Sequence, residues 1–162
     1  MIKNPDRALV GLATPYNQSS YNDGRVWRAE QFDDFIARGM GIPVRLNHGP
    51  LISSRGCIRY IGKARAFASV VTPVDGLLGL VELDDGPEMD ELLADLGRLD
   101  SFSYLPGCWG LSLGAHVWDD ACEPFEISIV YQPAHPDARI LAAGPRALEV
   151  WRSLTEVRKA VI

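Results

Sequence analysis

A chain of 162 residues, 47% hydrophobic and 23% charged, can build one well-cored domain over 1–162 but not two ordinary domains with a linker. A formal net charge of -5 without a basic cluster excludes a surface built to neutralise a run of phosphates, so no nucleic-acid partner is expected. The opening MIKNPDRALVGLATPYN lacks the apolar core of a signal peptide, and no segment approaches the roughly 20 apolar residues of a membrane span; no membrane partner is expected, and action in the cytoplasm is.

With 15 Gly and 11 Pro, many short strands joined by turns are expected rather than an all-helical bundle. Residues 7–16, RALVGLATPY, read as a strand broken at Pro15, followed by a polar loop with the turn residues Asn22, Asp23 and Gly24. RAEQFDDFIARGM places Phe32, Phe35 and Ile36 on one helical face and stops at Gly39. IPVRLNH reads as a strand, and CIRYIGKARAFASVV and GLLGLVEL as further strands divided around Pro73 and Gly76. GPEMDELLADLGRLD is an amphipathic helix with Pro87 in its first turn and Met89, Leu92, Leu93 and Leu96 as its buried stripe. GLSLGAHVW and PFEISIVYQ are the clearest strands, joined by polar DDACE. ARILAA is a short last strand, and 144–162 a closing helix with Leu148, Trp151, Leu154 and Val157 or Val161 on one side. The pattern predicts an α+β domain: a small, mostly antiparallel β-barrel with two or three helices packed outside.

Alternation along GLSLGAHVW puts Leu111, Leu113, Ala115 and Val117 on one face and Ser112, Gly114, His116 and Trp118 on the other. Flanking Ser112 with Gly110 and Gly114 leaves little cover around its hydroxyl, as a nucleophile attacking a bulky peptide requires; an ordinary strand serine beside bulge glycines has the same pattern. His116 shares the face of Ser112 but lies about 13 Å away along an extended strand, too far for one hydrogen bond. A base for Ser112 must come from His48 or His135. In PFEISIVYQ, Glu126 and Ser128 lie opposite Phe125, Ile127 and Ile129. A carboxylate there needs a partner: either a histidine whose tautomer it fixes, or an arginine on a solvent-facing sheet surface. A simple hairpin through DDACE sets Glu126 opposite His116. His48 itself, in LNHGP, is either a surface or capping residue or a functional imidazole.

Taken together, GLATPYN, RAEQFDDFIARG, VRLNH, IGKA with GLLGLVEL, GLSLG and EISIVYQPAHPDARI resemble, in order and over most of 9–141, the prohead serine proteases of tailed bacteriophages, distant relatives of the herpesvirus assemblins. The resemblance implies an assemblin-like barrel and a serine endopeptidase with Ser112 as nucleophile and His48 as its base. It also implies Glu126 of the ExSxV strand as the group orienting His48, or His135 in that role as in the herpesvirus branch. Backbone amides or Arg139 are candidate oxyanion donors. The implied substrates are the phage scaffolding protein and an extension of the major capsid protein, with self-processing. The implied setting is a homo-oligomer inside the procapsid in the host cytoplasm, with no metal or organic cofactor.

Two other classes fit parts of the pattern. One is a catalytically silent capsid assembly or scaffolding protein of the same fold. The other is a metal hydrolase using His48, His116 and His135, which lack any HxH or HExxH spacing. Cys57, Cys108 and Cys122 form no CxxC pair and suit a reducing compartment.

Overall fold

The computed structural model describes residues 1–20, 24–46, 60–98, 109–118, 121–131, 133, 135 and 137–160. In chain order the strands are β1 (Ala8–Pro15), β2 (Ile42–Leu46), β3 (Gly62–Val70), β4 (Gly76–Leu83), β5 (Gly110–Trp118), β6 (Ala121–Val130) and β7 (Ile140–Ala143). The helices are α1 (Asp33–Arg38), α2 (Pro87–Arg98) and α3 (Arg146–Ala160), with single 3-10 turns at Pro5–Arg7 and Ala29–Gln31. All strands join one sheet in the order β5-β6-β2-β3-β4-β1-β7. Among the described residues every strand pairing is antiparallel except β2 with β6. The expected α+β architecture, a mostly antiparallel curled sheet with helices outside, is what the chain adopts.

Side-chain alternation explains the layers. Leu9 and Ala13 of β1 and Leu77 and Val81 of β4 point into one core, which Phe32, Phe35, Leu111, Ile127 and Ile129 complete. Val10 and Leu12 of β1 and Leu78 and Leu80 of β4 point the other way, into a second core under Ala147, Leu148, Trp151 and Leu154 of α3. Both strands are therefore buried along their whole length, and their near-continuous apolar sequences follow from being covered on both faces. The α2 stripe behaves as its period predicts: Met89, Leu92 and Leu96 are buried in the first core and Leu93 packs against it.

The two edges of the sheet are drawn together by the segment leading into β7. Leu111 N–H donates to Ala138 O at 2.9 Å, Leu12 N–H donates to Arg139 O at 3.0 Å, and Gly110 bridges Arg139. Residues 138 and 139 thus stitch β5 to β1 and curl the sheet toward a barrel.

Three elements differ from their sequence-predicted bounds. The helix expected over 28–40 is a 3-10 turn followed by α1: the Gln31 side chain accepts from Arg28 N–H at 2.8 Å, and Phe32, at φ -106 and ψ -7, turns into the core. It ends at Gly39 as predicted, with φ 63. β6 starts at Ala121 rather than Pro124, because Ala121, Cys122 and Glu123 extend the hairpin; Pro124 falls at a register shift, where its missing N–H breaks no ladder. The closing helix starts at Arg146, after Gly144 at φ 80. The predicted strand ends at Asn47, His48 and 57–59, and the Val161 end of the last stripe, lie outside the described residues.

Candidate active site

Three neighbouring strands put one polar row on the face opposite the first core. Ser112 of β5 is paired with Ser128 of β6, and Ser128 with Arg45 of β2, while Leu111, Ile127, Ile129 and Val44 fill the core behind them. Glu126 stands two residues before Ser128 and is only 6% exposed. Its carboxylate accepts from Arg45 Nη1 at 2.8 Å and from Ser128 Oγ at 3.4 Å. The cost of burying this charge is offset by a paired, hydrogen-bonded cation.

The register corrects the expectation that Glu126 faces His116. Glu126 pairs with Gly114, and His116 with Glu123. The physical reason is the early start of β6, which shortens the connection and moves Glu126 toward the serine end of β5. Gly110 and Gly114, which flank Ser112, lie against the chain's own neighbours. A Cβ at Gly110 would lie 2.2 Å from Ala138 O, and one at Gly114 would lie 2.6 Å from Glu126 Cγ. Each glycine admits a close approach by the chain's own neighbour.

Ser112 lines a groove of about 360 Å³ beside the seam, shared with Thr14, Arg25, Trp27, Phe125 and His135. His135 is buried, and a turn fixes its position: Ala138 N–H donates to His135 O at 3.1 Å while Ala138 O accepts from Leu111. The sheet seam therefore carries a histidine to the groove that holds the serine. Glu126 is not among the described lining residues; it lies beneath Gly114 on the adjoining strand. His48 lies outside the described residues. The strand leading to it, β2, ends at Leu46 beside Ile129 of β6.

Other candidates sort by geometry. His116 packs against Phe125 with ring centroids 4.7 Å apart and ring planes tilted by 35°, and is not among the described groove-lining residues. Among the described residues no group of three His, Cys, Asp or Glu side chains is placed to hold a metal ion. Burial pushes the Cys122 thiol up to about 12, so it is not a nucleophile at neutral pH. No helix among the described residues is long and apolar enough to cross a membrane.

Sequence reasoning offered an arginine as the alternative partner of Glu126 without saying which; the structure identifies it as Arg45, a lone cation between Val44 and Leu46 in β2. Sequence reasoning missed Thr14, Arg25 and Trp27 as groove walls. Nothing local marks them, since they reach Ser112 only through the closure of the sheet.

No protein-family model matches the chain, and no curated protein matches it in sequence. Among solved structures, the Kaposi's sarcoma-associated herpesvirus protease in complex with a dimer disruptor is similar at 14% identity. The match covers 76% of this chain and 70% of that one with a TM-score of 0.45. The same virus's protease with a hexapeptide phosphonate inhibitor is similar at 14% identity over 78% of this chain and 60% of that one, with a TM-score of 0.46.

Proposed function

We propose that the protein is a serine endopeptidase of the capsid-maturation type, with Ser112 as nucleophile, His48 as its general base and Glu126 as the group orienting His48. The observation that carries the reading is Ser112 itself: a half-buried strand hydroxyl lining a groove at the sheet seam, in the GLSLG context of the prohead proteases. Strand order supports it as well. In sequence, Asn47 and His48 come directly after β2, whose neighbour is β6, whose neighbour is β5.

In this mechanism His48 takes the Ser112 proton as the oxygen attacks a peptide carbonyl. The imidazolium returns that proton to the departing amine, leaving an acyl-enzyme, and water activated by the same imidazole releases the acyl group. Oxyanion donors are backbone amides near the groove or Arg139. No metal or organic cofactor takes part. The substrates are the scaffolding protein and an extension of the major capsid protein of a tailed phage, with self-processing as a further cleavage. The enzyme acts as a homo-oligomer inside the procapsid in the host cytoplasm, a single domain packed at a local concentration that relaxes the need for tight substrate binding.

One observation favours a second assignment of the third role. His135 lines the same groove as Ser112, whereas Glu126 is engaged by Arg45 and Ser128. In that version His135 orients His48, and Glu126 holds Arg45 in place.

The test is co-expression with the cognate capsid and scaffolding proteins, alongside fluorophosphonate labelling. The wild-type chain should cleave and be labelled, and Ser112→Ala should lose both by on the order of a thousandfold or more while folding normally. Cleavage that survives in Ser112→Ala removes the nucleophile assignment. A wild-type chain that neither cleaves nor labels is the silent assembly protein.

A further inference from the structure

The groove that holds Ser112 is walled by residues 111–115 of β5, by His135 of the seam segment, and by Ser20 and Trp27 of the strap that follows β1. Main-chain hydrogen bonds fix the seam and the strap separately. Leu111 N–H donates to Ala138 O and Leu12 N–H to Arg139 O, which hold the seam segment on β5 and β1. Within the strap, Asn17 N–H donates to Trp27 O at 2.8 Å and Ser20 N–H to Arg25 O at 3.0 Å. The strap leaves β1 at Asn17, whose φ of 60 is the left-handed conformation that asparagine tolerates better than most residues.

A side-chain bond joins strap to seam. Gln18 Nε2 donates to Asp137 Oδ2 at 3.0 Å in a half-buried position, where a bond to a carboxylate is stronger than one between neutral groups. Asp137 is also the centre of the seam turn. Its carbonyl accepts from Arg139 N–H at 2.8 Å, and beside it Ala138 N–H donates to His135 O at 3.1 Å. Ala138 and Arg139 are the residues that grip β5 and β1. A pull on the Asp137 carboxylate is therefore transmitted, through adjoining residues, to His135 inside the groove and to the strand that bears Ser112.

We propose that Gln18 and Asp137 are positioning residues, whose hydrogen bond clasps the strap to the seam and so sets the spacing of the groove walls around Ser112. The clasp stands on geometry alone. Its consequence for catalysis rests on the protease reading, because small displacements of the groups that seat a substrate cost rate steeply.

Isosteric exchange tests the clasp in the full chain, read as fluorophosphonate labelling rate per folded molecule. Gln18→Glu sets two carboxylates against each other and should label about tenfold more slowly than wild type at neutral pH. Asp137→Asn keeps an acceptor oxygen for Gln18 and should stay within about twofold. Gln18→Glu combined with Asp137→Asn rebuilds the bond with donor and acceptor reversed, and should return to within about twofold of wild type. Protonating either carboxyl relieves the repulsion, so the ratio of Gln18→Glu to wild-type rates should climb toward one between about pH 8 and pH 5. Gln18→Ala, which removes the donor and adds no charge, should show a loss of about threefold at every pH. Hydrogen exchange at the amides of Asn17, Ser20, Ala138 and Arg139 reads the clasp without reference to activity; it should quicken at least about threefold in Gln18→Glu and recover in the double variant. Equal labelling of wild type and either Gln18 variant, a Gln18→Glu loss that ignores pH, or one the double variant leaves unrepaired overturns the proposal while the protease reading stands. A wild type that neither labels nor cleaves overturns the protease reading instead, and exchange then decides the clasp. Unchanged exchange in Gln18→Glu overturns it in either case.

Discussion

Ser112 and Ser128 stand directly opposite one another on β5 and β6, and Ser128 Oγ reaches the buried Glu126 carboxylate at 3.4 Å. The serine proposed as nucleophile is therefore one cross-strand step from a charged pair, Glu126 with Arg45, on the outer face of a sheet whose other face is core.

That pair should carry stability whether or not it serves chemistry. Glu126→Gln removes the carboxylate charge paired at 2.8 Å with the Arg45 guanidinium, itself 17% exposed, and should cost about 2–4 kcal/mol in chemical denaturation. Adding Arg45→Leu should recover at least half of the loss. Labelling rates per folded molecule separate the roles. If Glu126 orients His48, Glu126→Gln falls by about a hundredfold or more while His135→Asn is mild; the reverse order assigns the role to His135.

The two glycines around Ser112 should differ in their intolerance of a methyl group. At Gly110 the new Cβ meets a backbone oxygen, Ala138 O, in the seam; at Gly114 it meets the side chains of Glu126 and Phe125. Backbone yields less than side chains, so Gly110→Ala should lower the unfolding free energy by about 3 kcal/mol and Gly114→Ala by about 1–2 kcal/mol. Equal costs in denaturant titrations would show that the seam gives way as easily as the side chains.

Acid stability should depend on Glu82. Burial pushes its carboxyl up, but hydrogen bonds from the Asn4 and Lys3 amides, at 2.6 and 2.8 Å, and from Arg65 outweigh burial and hold it below the ordinary carboxylate range. A depressed carboxylate contributes stability that is fully present above its unfolded value and is lost as pH falls through the folded one. Wild-type protein should therefore lose stability below about pH 4.5 more steeply than Glu82→Gln, which starts less stable at pH 7. Parallel acid limbs for the two proteins would sink this account.

The second core should respond to α3 as a cover. Trp151 packs against it while remaining partly exposed, so Trp151→Ala should cost about 1–3 kcal/mol, below the full burial value. Trp118, 58% exposed at the end of β5, should tolerate alanine within about 0.5 kcal/mol. Equilibrium unfolding of the two variants checks the contrast.

The amino-acid sequence by itself determined the local grammar. Period-2 alternation marked β5 and β6, period-3.6 spacing marked α2, Gly39 marked the end of α1, and the glycine-flanked position of Ser112 opposite an apolar face was readable without coordinates. These features depend on neighbours a few residues apart, where backbone geometry alone decides which way a side chain points. Tertiary structure decided what meets what: Glu126 across from Gly114 rather than His116, Arg45 as its counter-ion, and Thr14, Arg25, Trp27 and His135 gathered around Ser112. Register is set by where a strand starts and what it buries, and a shift of even one residue changes every partner. Closure of the sheet is set by contacts such as Leu12 to Arg139, between residues far apart along the chain, and no local pattern encodes a long-range contact.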